Sequence, residues 1–119
     1  GSAAIAAGFD AAAAGGARVI NVSLGGDSAG FAVRSAAARA AAAGAVTVLA
    51  AGNEALASPQ GFANQLVALA PATTIVVGAV DSANAMASFS NRAGVLASNY
   101  LVAPGVSVRP VAPALSRVA

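Results

Sequence analysis

The stretch Val19-Ile20-Asn21-Val22-Ser23-Leu24-Gly25-Gly26 decides how this chain folds. Its β-branched run predicts a strand over 19–24, stopped by the paired glycines. Further on, Val46 to Ala51 is a second, nearly continuous apolar run, the pattern of a strand buried on both faces, and Gly52-Asn53 ends it. Between the two, Asp27 and Ser28 offer N-caps for a helix through Ala43 that Gly44 stops. Upstream, Ala3 to Ala14 sets Ile5, Phe9 and Ala12 on one stripe with Asp10 turned away, and Gly15-Gly16 follows. That predicts a short amphipathic helix with a glycine stop. A mixed connection then leads to a third strand, Ile75 to Val80; its length predicts a short helix or a functional surface within it. Asp81-Ser82 turns the chain, and Tyr100 to Ala103 supplies a fourth short strand before Pro104-Gly105.

Helix, strand, helix, strand, loop, strand is the order of an α/β domain with a parallel sheet. In such sheets the site lies beyond the carboxyl ends of the strands. If 19–24 and 46–51 are neighbours joined by the helix between them, Leu24-Gly25-Gly26 and Ala51-Gly52-Asn53 emerge on one edge and face each other across a cleft. Asn21 and Ser23 share one face of the first strand, while Ile20, Val22 and Leu24 share the other. On a strand covered from both sides, two polar groups need partners. For Asn21 the simpler expectation is an amide that satisfies nearby backbone groups. Ser23 and the glycines after it sit where a site would be.

Composition narrows the function. The 119 residues leave room for one domain with one core. Only 8% are charged and 58% are apolar, the excess lying in small Ala side chains, which excludes a disordered chain. The pI of 10.6 rests on a net charge of +2, from scattered Arg and no Lys, which argues against nucleic acid as a partner. There is no Cys, hence no disulfide or thiolate chemistry. There is no His either, so neither a complete Ser-His-Asp triad nor a His-ligated zinc site can form within these residues. Ala55 to Val80 is uncharged, but Pro59, Gln60, Asn64, Gln65 and Pro71 interrupt it as a membrane span. No basic segment followed by an apolar core marks a signal peptide. Nucleotide binding fails on its own motif. A dinucleotide fingerprint starting at Gly25 needs glycine where Asp27 stands, and a P-loop needs Lys and Ser or Thr where Phe31 and Ala32 stand.

Four segments in order, VINVSLGG (19–26), VTVLAAGNE (46–54), VVGAVDSANAMASFSN (76–91) and YLVAPG (100–105), resemble the subtilisin-like serine peptidases. The resemblance runs from about Ala3 to Val108. The wording around SFSNRAG and YLVAPG is similar to subtilases carried as passengers by bacterial autotransporters. The resemblance implies a doubly wound, largely parallel sheet flanked by helices in three layers, of which residues 1–119 are the middle portion of a single catalytic domain. It implies hydrolysis of peptide bonds through an acyl-enzyme by Asp, His and Ser. None of the three maps onto this chain. The DTG-type and HGTH-type segments would precede Gly1 and the GTSMA-type segment would follow Ala119, while Ser88 and Ser90 are motif serines and not nucleophiles.

What the resemblance does place here is the substrate side. Asn53, the Asn of AAGN, is similar to the family's oxyanion-hole donor, an amide that donates without deprotonation. Ser23, Leu24, Gly25 and Gly26 resemble the strand edge that pairs with the substrate backbone and walls the pocket for the residue before the scissile bond. Ala50, Ala51 and Gly52 resemble the opposite wall, where larger side chains would block the approach. The implied partner is a polypeptide substrate, together with the flanking parts of the same domain, and the implied location is extracellular or at the cell surface. No cofactor is expected; calcium is common in the family, but the four acids here show no ligand spacing. The alternatives are a non-catalytic α/β binding or structural module on the same scaffold, and a nucleotide-binding domain.

Overall fold

The first strand, β1 (Val19–Val22), is two residues shorter than its β-branched run, because the chain leaves the sheet at Ser23. A computed structural model describes residues 1–110 and places β1 after a helix, α1 (Ser2–Ala14). The order continues with α2 (Phe31–Ala42), β2 (Val46–Ala50), α3 (Gly61–Leu69), β3 (Thr74–Val80), a 3-10 helix (Gly94–Asn99) and β4 (Tyr100–Pro104). The long connection after β2 thus carries a helix, as its length predicts. The strands form one parallel sheet in the order β1-β2-β3-β4, with Val22 beside Leu49 and Ala50 beside Val77.

That order explains which face is covered. Crossovers between parallel strands are almost always right-handed, so strands added in one direction keep their helices on one side. Phe9 of α1, Val33 and Ala36 of α2, and Phe62 and Leu66 of α3 share one core with Ile20, Val22, Leu49 and Val76. Alternate strand residues, Val46, Val48, Ile75 and Val77, point to the other face and are only half-buried. Among the described residues β2 is thus covered on one face only, against the expectation of burial on both. Among the described residues the fold is an α/β sheet with one layer of helices.

One further correction is local. Neither Asp27 nor Ser28 caps α2. The cap position is Gly30, with no side-chain bond, because the 23–30 segment is held to α3 instead. There the Gln65 Oε1 accepts from the Ala29 N–H at 2.7 Å and the Gly26 carbonyl from the Phe62 N–H at 3.0 Å. On the surface, Arg39 of α2 forks onto Asp10 of α1, with Nε and Nη2 each 3.0 Å from a carboxylate oxygen. This bond holds the Asp10 carboxyl below its usual range and raises Arg39.

Candidate functional site

The carboxyl ends of the four strands open into a cleft of about 280 Å³. Its walls are Asn21 and Ser23 on one side, Ala50 to Asn53 in the middle, and Ala79, Ala103 and Gly105 on the other. Small residues, Ala50, Ala51, Gly52, Gly78, Ala79, Ala103 and Gly105, make up about half of its lining, with Val48, Leu49 and Val77 at its floor.

The turn 51–56 is the most constrained part of the cleft. Gly52 has φ +105°, a backbone that side-chain-bearing residues rarely adopt. A Cβ there would also lie 2.5 Å from Asn91 Nδ2 and 2.8 Å from Gln60 Cγ. The conformation turns the chain out of β2, so that Asn53 stands exposed at the rim. Among the described residues the Asn53 side chain enters none of the hydrogen bonds, which leaves its Nδ2 donors free to meet a ligand. The neighbouring carbonyl of Ala51 is fully used, accepting from the Gln60 N–H at 3.1 Å and from Asn91 Nδ2 at 2.9 Å.

The residues expected from the sequence divide into two groups. Ser23, Ala50, Ala51, Gly52 and Asn53 meet in the one cleft. Leu24, Gly25 and Gly26 do not line it. Leu24 faces a separate shallow depression with Ile5 and Phe9, and Gly25 lies against the Gln60 carboxamide, where a Cβ would collide. Asn21 and Ser23 are both exposed on the uncovered face, and Ser23 Oγ donates to Asn21 Oδ1 at 3.2 Å. The amide of Asn21 thus meets a hydroxyl rather than the backbone groups anticipated for it. Ser90 reaches the cleft, but its hydroxyl is engaged: it accepts from the Ala79 N–H at 2.9 Å and donates to the Asn91 carbonyl at 3.1 Å.

Sequence reasoning missed Asn91, Tyr100 and Gln60. Asn91 is wholly buried behind the turn, and the Tyr100 hydroxyl donates to its carbonyl at 2.6 Å. The available signal was the polar run Ser88-Phe89-Ser90-Asn91 in a chain otherwise made of Ala and Val.

No three acidic, His or Cys side chains gather among the described residues. Asp81 Oδ1 accepts from the N–H groups of Ala83 at 2.9 Å and Ala85 at 3.0 Å, closing the turn after β3. No helix of the described residues is long and apolar enough to cross a membrane.

The pattern that describes the subtilase family matches residues 1–117. The chain belongs to the subtilase family. This subtilase segment is 42% identical to Subtilisin DY of Bacillus licheniformis over 113 residues, which are 92% of this chain and 38% of that protein. Among solved structures it is similar to the patellamide maturation protease PatA, with 26% identity and a TM-score of 0.74 over 88% of this chain and 38% of that one. The PatG macrocyclase in complex with peptide, at 21% identity and a TM-score of 0.75 over 96% of this chain and 33% of that one, shares the fold. The segment thus spans well under half the length of these relatives.

Proposed function

We propose that residues 1–119 are the middle portion of the catalytic domain of a serine endopeptidase, carrying part of the substrate cleft and the oxyanion donor. The observation that carries this is the free amide of Asn53 at the rim of a cleft walled by small residues, in a chain of the subtilase family. In acyl transfer a nucleophile attacks the scissile carbonyl and its oxygen becomes an oxyanion. A donor already in place there stabilises that charge without reorganising. Asn53 would supply such an N–H, stronger toward the tetrahedral state than toward the planar carbonyl. Ser23 and Ala50 to Gly52 would flank the extended polypeptide, with Gly25 further along the edge it pairs with. The attacking serine, its imidazole and the orienting Asp would come from the rest of the domain. An extracellular or cell-surface location goes with this reading.

The test is steady-state kinetics of Asn53→Ala in the complete enzyme. The expected loss is about 10²–10³ in kcat with little change in KM, the magnitude known for a lost oxyanion donor in subtilisin. Wild-type kcat in that variant would reduce Asn53 to a turn residue.

A further inference from the structure

Asn91 is the most deeply buried polar side chain among the described residues, at 0% exposure, and the oxyanion reading gives it no task. Its Oδ1 accepts from the backbone N–H groups of Glu54 at 3.1 Å and Leu56 at 2.9 Å. Its Nδ2 donates to the Ala51 carbonyl at 2.9 Å and to Glu54 Oε1 at 2.8 Å. Its own N–H donates to the Gly52 carbonyl at 3.0 Å. Every donor and acceptor of the side-chain amide is thereby used. The partners are residues 51, 52, 54 and 56, so the bonds straddle Asn53 and leave it out.

The other end of this clamp is fixed to the sheet. The Asn91 carbonyl accepts from Tyr100 at the start of β4 and from Ser90 Oγ, which in turn accepts from Ala79 of β3. Gly78 makes room for Tyr100, since a Cβ there would collide with the phenol. The turn, bent at a residue with φ +105°, is thus pinned to two strands through the Asn91 side chain, beside three backbone bonds, from the Ala55 N–H to the Phe89 carbonyl, from the Asn91 N–H to the Gly52 carbonyl and from the Arg92 N–H to the Leu56 carbonyl. We propose that Asn91 is a positioning residue, which holds the 52–54 backbone so that the Asn53 amide stands where the oxyanion forms. The inference rests on the oxyanion reading of Asn53. Few side chains of this size present two donors and two acceptors in one plane. Asp would lose both donors and face the Glu54 carboxylate, and Ala would release all four bonds.

A misplacement of about 1 Å in a catalytic group is enough to cost on the order of 10²-fold in rate. The effect of Asn91 should therefore appear in kcat, and only while Asn53 has an amide to place. The experiment is a double-variant cycle in the complete enzyme that contains these residues, with kcat expressed per titrated active site. Asn91→Ala should lower kcat about 10-fold or more, though by no more than Asn53→Ala does, and KM should change less. In the Asn53→Ala background the same substitution should cost nothing further in kcat. Where Asn91→Ala does not fold, Asn91→Ser and Tyr100→Phe take its place; each should give a smaller loss of kcat that vanishes in the same background. An unchanged kcat in the Asn91 variants, or a loss that persists in full without the Asn53 amide, overturns the positioning role and leaves the oxyanion assignment intact. Wild-type kcat in Asn53→Ala alone removes the oxyanion reading, and the positioning role falls with it.

Discussion

At the scale of single residues, the small ones at the strand ends are constrained by what lies close to them. Gly52 combines a positive φ with three side chains inside contact distance of a Cβ. Gly52→Ala should destabilise the catalytic domain by about 1–3 kcal/mol, read by urea unfolding, because the strain cannot relax without moving Asn91 or Gln60. Gly25 is a different case. Its φ is unremarkable, and the group beside it is the far end of the Gln60 side chain, which can swing away. Gly25→Val should therefore leave the domain folded and raise KM for a peptide more than it lowers kcat, since a β-branched side chain obstructs backbone pairing. An unchanged KM with a lowered unfolding midpoint would place Gly25 in packing and not in substrate binding.

At the scale of elements, α3 does more than connect β2 to β3. Its Gln65 and Phe62 hold the 23–30 segment, and its Leu66 is 1% exposed in the shared core. Leu66→Ala should cost about 2–5 kcal/mol in a denaturant melt of the domain, as for other buried leucines. Gln65→Ala is the gentler probe, leaving the core intact while freeing the Ala29 N–H, and should raise hydrogen exchange in 23–30 before it lowers the melting temperature. The pair Asp10–Arg39 joins α1 to α2 across an exposed surface, with side chains 47% and 59% accessible. Because the folded state holds the Asp10 carboxyl below its ordinary value, chiefly through the bond to Arg39, the pair favours folding above the unfolded carboxylate range. Its help fades as pH falls below about 4 and through the depressed value. Exposure and salt screening keep it small, so Asp10→Asn should flatten the acid limb of a pH–stability profile slightly and leave the neutral plateau nearly unchanged.

At the scale of the whole molecule, the described residues cover one sheet face with helices and leave the other open. The half-buried valines and Ile75 of the uncovered face, the free edges of β1 and β4, and a charged fraction of 8% leave little to keep copies apart. Residues 1–119 expressed alone should self-associate, seen as early elution and strong light scattering; a monomer with a sharp cooperative melt would point to a self-sufficient module. The same segment has no His to activate a serine, so a fluorophosphonate should not label it, and stoichiometric labelling would contradict the proposed division of the active site. The sequence by itself determined α1, α2 and the four strands, their α/β order, the parallel sheet and the family, because hydrophobic period and glycine stops are local and the four motifs lie in register; it left α3 as one of two readings of the long connection and gave no sign of the 3-10 helix. It missed the end of β1 by two residues and the start of α2 by more, because Ser23 to Gly30 bonds to α3, a partner far along the chain. It gathered Ser23, Ala50, Ala51, Gly52 and Asn53, which share one cleft, but put Leu24, Gly25 and Gly26 there too, and it could not bring Asn91 to them. Only the tertiary structure decided that α1, α2 and α3 all pack on one face of the sheet, since that follows from spatial strand order, and that the turn bearing Asn53 is held from behind, since Asn91 and Glu54, 37 positions apart, meet only when the chain folds.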